Sequence, residues 1–262
     1  MGRLDPVFAH TREQGRAALI GYLPAGYPTV DGSAELLTTM IDSGCDIVEV
    51  GVPYSDPVMD GPTIQAAADR ALRGGFRLRD LFTVVERVAA AGGHAVVMTY
   101  WNPVHRYGVD RFARDLAAAG GLGLITPDLI PDQGADWLAA AEEHDLDRIF
   151  LVAPSSSPER LALTTAATTG FLYATAVMGV TGARDQVGSS AEGLVARARE
   201  HTDLPIAVGL GVRSGEQAAE VAGFADGVVV GSAFVSRAED VTAVRALAEE
   251  LAEGVRAPAP AR

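Results

Sequence analysis

The segment Glu49-Val50-Gly51-Val52-Pro53-Tyr54-Ser55-Asp56-Pro57-Val58-Met59-Asp60 gathers three carboxylates, and their settings differ. Glu49 interrupts an apolar run. Strand alternation puts Ile47, Glu49 and Gly51 on one face and Val48, Val50 and Val52 on the other. A carboxylate on a buried face is costly unless paired. Either an arginine or backbone donors satisfy it, or burial lifts its pKa and makes it a general acid/base. Its place at the C-terminal end of the strand favours the acid/base reading. Asp56 and Asp60 follow in a loop stiffened by Pro53, Pro57 and Pro62. Asp60 either caps a helix starting near Thr63 or joins Glu49 as a second carboxylate at the same mouth.

A second constellation is glycine-rich. Gly209-Leu210-Gly211-Val212-Arg213-Ser214-Gly215 and Gly231-Ser232-Ala233-Phe234 each follow a short apolar run. Such loops let the backbone approach a phosphate, and a helix N-terminus supplies N–H groups and a favourable dipole. The bland alternative is that these glycines only permit tight turns, with Arg213 a solvated surface residue. A third stretch, Met178 to Gly188, has no apolar periodicity and three glycines. It reads as a lid or as a plain connector.

The composition closes off other chemistries. All 21 basic residues are arginine, so a Schiff-base lysine and a P-loop lysine are excluded. Cys45 is the single cysteine and reads as buried packing, so no disulfide forms within the chain. His10, His94, His105, His144 and His201 show no metal-binding spacing, and no metal site is expected. A net charge of −13 argues against nucleic acid as partner. The segment MGRLDPVFAH has no signal-like apolar stretch and no run is long enough for a membrane span, so a cytoplasmic protein is expected.

Short, β-branched runs must position these groups. The candidate strands are Ala17–Leu23, Asp46–Val50, Ala95–Tyr100, Gly123–Thr126, Arg148–Val152, Phe171–Thr175, Ile206–Val208 and Gly227–Val230. Amphipathic stretches such as Val109–Ala119, Pro158–Ala167 and Gly215–Ala222 lie between them. Eight βα units over residues 1–262 predict an α/β protein, a single-domain (β/α)8 TIM barrel; a doubly wound open sheet is the runner-up. Asp5–Arg16 is predicted to form a short helix closing the barrel bottom, and a Pro/Ala-rich tail is expected to fray from about 256. In such barrels the chemistry sits where the strands end.

Read together, GYLPAGYPT (Gly21–Thr29), VEVGVPYSDPVMDGPTIQAA (Val48–Ala67), MTYWNPVHRYGVDRF (Met98–Phe112), GLITPDLIPD (Gly123–Asp132), FLVAPSSSPERL (Phe150–Leu161), GVTGAR (Gly179–Arg184) and AVGLGVRSGEQAAEVAGFADGVVVGSAFV (Ala207–Val235) resemble the tryptophan synthase α chain family, in family order. The resemblance implies a lyase that splits indole-3-glycerol phosphate into indole and glyceraldehyde 3-phosphate by a retro-aldol reaction. It implies Glu49 as acid/base and Asp60 as partner carboxylate. Gly182, Gly211, Gly231 and Ser232 would hold the phosphate, with Thr181 and Gly182 in a closing lid. Tyr22, Tyr100, Ile125, Tyr173 and Leu210 would line the indole pocket.

It further implies no cofactor on this chain, and a β chain carrying pyridoxal phosphate. That partner is expected in an α2β2 heterotetramer, docked through loops 53–60 and 179–188. Two alternatives are a stand-alone lyase of another pathway and a subunit that mainly activates the β chain. The sequence departs from the common family pattern at Tyr54, where many members have Phe, at Met59, where Ala is common, and at Ala176-Val177-Met178 before the lid.

Overall fold

The structure is a computed structural model that describes residues 2–175, 184–209 and 211–256, the side chains of 184–189 excepted. Its strands are β1 (Ala18–Pro24), β2 (Ile47–Gly51), β3 (Ala95–Met98), β4 (Gly123–Ile125), β5 (Asp147–Ile149), β6 (Leu151–Val152), β7 (Leu172–Thr175), β8 (Ile206–Gly209) and β9 (Gly227–Val230). All pair in parallel, in the order β5-β4-β3-β2-β1-β9-β8-β7-β6. β5 and β6 are two halves of one strand around Phe150. The first half bonds β4, the second bonds β7, and the Phe150 carbonyl accepts the Tyr173 N–H at 3.1 Å. The ladder therefore closes on itself, and the expected (β/α)8 barrel is what the chain forms.

Two apolar regions follow from strand alternation. Ile20, Ile47, Val96, Ile125, Ile149, Phe171 and Val229 fill the barrel interior. Val48, Val50, Val97 and Val208 face the other way, against the helical shell. The face division expected around Glu49 is thus observed, with Ile47 inside and Val48 and Val50 outside.

The helix α1 (Asp5–Glu13) closes the bottom. Phe8 stacks on Phe171 with centroids 5.6 Å apart, and the Leu4 N–H donates to Asp147 Oδ2 at 2.8 Å. α1 ends short of the expected Arg16 because Gly15 takes a φ of +67°. Arg16 instead leaves the helix and bonds Asp46 through both guanidinium nitrogens at 2.7 Å. Asp46 also accepts the Leu19 N–H at 2.8 Å, so this pair ties the starts of β1 and β2 together.

The one-helix-per-strand expectation is exceeded. After β2 come α3 (Pro62–Arg73) and α4 (Leu78–Ala90), after β3 α5 (Trp101–Tyr107) and α6 (Val109–Ala118), and after β9 α11 (Ser232–Val235) and α12 (Val241–Arg256). β3 ends at Met98, not at the expected Tyr100, because α5 begins at once. Its first free N–H, that of Trp101, is held by Asp128 Oδ1 at 2.8 Å. The tail beyond 256 lies outside the described residues. Among them, no helix is long and apolar enough to cross a membrane.

The Arg16 and Asp46 side chains are 6% and 13% exposed, so removing one strands the other in a poorly hydrated place. Arg16→Ala is expected to cost about 3 kcal/mol. That should lower Tm by roughly 5–10 °C in a thermal melt, and an unchanged Tm would contradict the anchoring role.

Candidate active site

The sequence-predicted residues converge on the C-terminal end of the barrel. Tyr22 sits in the C-terminal half of β1, Glu49 at the centre of β2, Ile125 at the end of β4 and Tyr173 second in β7. Tyr100 follows β3, Gly211 follows β8, and Gly231 and Ser232 join β9 to α11. Leu210, Thr181, Gly182 and the segment 176–183 lie outside the described residues. So do the side chains of the rest of the expected lid.

Glu49 is 1% exposed and pairs in register with Tyr22 and Val96. Among the described residues no arginine pairs with it. Its Oε1 has no hydrogen-bond partner among the described residues. Burial alone pushes its pKa up to about 8. Among the described residues the structure therefore favours the acid/base reading over a strand carboxylate paired with arginine.

Two glycines make room beside it. A Cβ at Gly51 would overlap the Tyr22 hydroxyl, and a Cβ at Gly209 would lie 2.7 Å from the Tyr173 hydroxyl. Burial raises the pKa values of both phenols, and nearby carboxylates add to the rise, Asp60 then Glu49 at Tyr22 and Glu49 at Tyr173. Tyr173 and Tyr22 thus flank the carboxyl.

Asp60 is half-buried and acts on the same Tyr22 phenol as Glu49, which brings the two carboxylates to one place. It does not cap the following helix. α3 is capped by Gly61 and opens with Pro62, and Gln65 Nε2 donates to the Asp60 carbonyl at 2.7 Å. Burial raises the Asp60 pKa, and a hydrogen bond from the Tyr100 side chain opposes the rise. The Tyr100 hydroxyl also accepts the Met59 N–H at 3.0 Å. Sequence reading missed the surroundings of this contact. Tyr54 packs on Tyr100 with centroids 5.2 Å apart, and Asn102 Nδ2 donates to the Tyr54 hydroxyl at 3.1 Å.

After β8 and β9, Gly211 has a φ of +69° and Gly231 precedes the first turn of α11. The nearest atoms to a Cβ at Gly231 would be Tyr22 Cδ1 at 3.5 Å and Ile64 Cδ1 at 3.8 Å, ordinary contacts. Protein packing therefore does not demand a glycine here. Arg213 is exposed, with its N–H on Gln217 Oε1 at 2.8 Å. Asp110, Glu143 and His144 lie close enough together to share a ligand, but on the helical shell rather than at the mouth.

A barrel with a dry carboxyl, a second carboxylate and a glycine-lined recess at the strand ends defines a lyase-type acid/base site on a TIM barrel. The tryptophan synthase alpha chain family model matches residues 8–257. The chain is 66% identical over 261 residues to the tryptophan synthase alpha chain of Mycobacterium intracellulare, covering 99% of this chain and 96% of that one. It is 68% identical over 255 residues to that of Nocardia farcinica, covering 97% and 96%. A crystal structure of tryptophan synthase from M. tuberculosis, an open form with BRD0059 bound, superposes with a TM-score of 0.93 at 61% identity, covering 98% of this chain and 99% of that one. The chain belongs to the tryptophan synthase alpha chain family. It is a carbon–carbon lyase of L-tryptophan biosynthesis that cleaves indole-3-glycerol phosphate to indole and glyceraldehyde 3-phosphate. These relatives support that reading rather than the stand-alone or activator alternatives.

The Glu49 proton has a consequence for stability. In the unfolded chain the group titrates near its ordinary 4.5, in the folded chain near 8. Between these values the native state holds a proton that the unfolded state has lost, so native stability falls as pH rises through that window. Glu49→Gln removes the term. Relative to wild type the variant should gain stability on the order of a few kcal/mol from pH 5 to pH 9. Parallel stability curves in chemical denaturation across that range would contradict a buried, unpaired carboxyl.

Proposed function

We propose that Glu49 is the acid/base of the cleavage and Asp60 its partner carboxylate. The observation that carries this is a Glu49 carboxyl fully buried, without a partner for Oε1 among the described residues, and acting on the same tyrosine as Asp60. Glu49 starts protonated and donates to indole C3. Positive charge then develops at the ring nitrogen, where an ionised Asp60 stabilises it. The Glu49 carboxylate takes the proton of the glycerol hydroxyl next to C3. The C3–carbon bond breaks, its electron pair returns to the ring, and an aldehyde forms. Glu49 ends as it began, and indole and glyceraldehyde 3-phosphate are the products. No lysine or metal is needed for this balance.

Tyr22, Tyr100, Ile125, Tyr173 and Leu210 form the indole pocket in this reading. Gly182, Gly211, Gly231 and Ser232 hold the phosphate, and Thr181 closes over the site with the lid. The N–H groups at the start of α11, directly after Gly231, support the phosphate assignment.

The partner is a β chain, in an α2β2 assembly in the cytoplasm. It docks on loops 53–60 and 179–188, and pyridoxal phosphate belongs to that chain, since this one has no lysine to bind it covalently. Val58 at 79% exposed and Met59 at 53% put apolar surface on the first of these loops. The M. tuberculosis structures of tryptophan synthase support such an assembly by similarity.

Glu49→Gln should lower turnover about 10²- to 10⁴-fold in an indole-release assay. Wild-type kcat/KM should fall on the alkaline side as Glu49 loses its proton near 8, and on the acid side as Asp60 gains one. Near-wild-type turnover in the variant would remove Glu49 from the chemistry.

Gly231→Val tests the phosphate recess. It should raise KM for indole-3-glycerol phosphate at least tenfold, roughly the loss of one charge-assisted hydrogen bond, while binding of free indole stays the same. Equal effects on both ligands would sink the assignment.

A further inference from the structure

Tyr22 is 8% exposed and lies on the inner face of β1, in line with Ile20 and paired in register with Glu49 of β2. Two glycines locate its ring. A Cβ at Gly231 would lie 3.5 Å from Tyr22 Cδ1 and 3.7 Å from Tyr22 Cβ. A Cβ at Gly51 would lie 2.6 Å from Tyr22 Cζ and Cε2 and would overlap the hydroxyl. The root of the side chain is thus beside the glycine that precedes α11. Its hydroxyl end is over β2, at the inner-face position that follows Glu49 toward the mouth. The ring therefore bridges the two places that the proposed function gives to phosphate and to acid/base chemistry.

Among the described residues no hydrogen bond uses that hydroxyl, although a buried phenol ordinarily finds a partner. Burial foremost, then the charges of Asp60 and Glu49, holds its pKa well above the usual phenol value. It keeps its proton and is able both to donate and to accept. A phenylalanine would leave the same ring between the same glycines without an unmet polar group.

The substrate has the missing partner. Between its phosphate and its indole ring runs a three-carbon chain with two hydroxyls. Glu49 takes the proton of the hydroxyl on the carbon that is cleaved. The other hydroxyl, on the middle carbon, stays in glyceraldehyde 3-phosphate. With the phosphate at Gly231 and the cleaved carbon at Glu49, the middle carbon passes over the Tyr22 ring. We propose that the Tyr22 hydroxyl binds this middle hydroxyl, which makes Tyr22 a specificity residue for the glycerol chain and not only a wall of the indole pocket. This deepens the proposed function and rests on its placing of the phosphate and of Glu49. A site built to bond a substrate hydroxyl discriminates against an analogue that lacks it, because the site's own polar group is then left unpaired.

The test uses two ligands that cannot be cleaved, since neither has a hydroxyl on the carbon next to the ring. One, 3-(indol-3-yl)-2-hydroxypropyl phosphate in the substrate's configuration, keeps the middle hydroxyl; the other, 3-(indol-3-yl)propyl phosphate, has none. Kd is measured by titration calorimetry on the full chain with saturating β chain, for wild type, Tyr22→Phe, Tyr173→Phe and Gly231→Val. Wild type should bind the hydroxy ligand about three- to tenfold more tightly, the worth of one neutral hydrogen bond. Tyr22→Phe should bind the two ligands equally, and its affinity for the propyl ligand should stay within about twofold of wild type. A residue that only lines the pocket would change both affinities together and leave their ratio as it was.

Equal affinities in wild type, or a preference that survives in Tyr22→Phe, overturns the proposal. If Tyr173→Phe is then the variant that loses the preference, the middle hydroxyl belongs to the other phenol. Gly231→Val should weaken both ligands about tenfold or more. Unchanged affinities in that variant overturn the placing of the phosphate, and the proposal with it, so the two failures are read from different proteins.

Discussion

Burying one carboxyl is the constraint around which this barrel's mouth is organised. A buried, ionised glutamate costs far more than a protein of ordinary stability can spare. Glu49 resolves this by holding its proton, and burial is the cause of its raised pKa. That solution works only if no cation and no cluster of donors comes near. The neighbours fit the requirement: two phenols, room for which is made by Gly51 and Gly209, and the aliphatic side chains of the barrel interior. A lysine or arginine aimed at this spot would pair with Glu49, ionise it and remove the acid.

The other end of the barrel treats the same residue type in the opposite way. Asp46, Asp147 and Asp226 stand at the starts of β2, β5 and β9, and each accepts a backbone N–H from elsewhere in the chain. Asp46 takes that of Leu19, Asp147 that of Leu4 and Asp226 that of Ile206, at 2.8–2.9 Å. Asp46 and Asp226 add an arginine each, Arg16 and Arg199. These carboxylates join neighbouring strands and the bottom helix, so they are satisfied and structural. Stability is concentrated at the N-terminal face, and the unpaired groups are left to the C-terminal face, where substrate can reach them.

Much of this was legible in the sequence because it is local. Alternation put Glu49 on the inner face, the eight β-branched runs gave the barrel, and the position of Glu49 at a strand end pointed to chemistry. The resemblance supplied the reaction and the roles, which periodicity does not contain. What stayed hidden depends on contacts between distant segments. Tyr100 reads as the end of a strand because Met98-Thr99-Tyr100 is apolar and aromatic. That α5 starts there instead is decided by Asp128, 27 residues away. Gly51 reads as one more inner-face strand position and Gly209 as a phosphate-loop glycine, since nothing local shows that a tyrosine from the neighbouring strand fills their space. Tyr54 reads as a mere departure from a family Phe, yet its hydroxyl gives the mouth a hydrogen bond to Asn102 that a phenylalanine cannot make.

Acid and base roles separate when environments drive two carboxyls apart. Glu49 has burial and nothing to offset it. Asp60 is less buried and has a phenol donor opposing the rise. Burial therefore acts unopposed on the first and opposed on the second, although both feel the low polarity of one mouth. The division also explains their placement in the chain. A protonated acid can be fixed in a rigid strand, where packing keeps water out. A carboxylate that must remain charged sits better in a loop, within reach of solvent and of donors from neighbouring elements. Its position then depends on whatever braces the loop, which here is the Tyr54–Tyr100–Asn102 group.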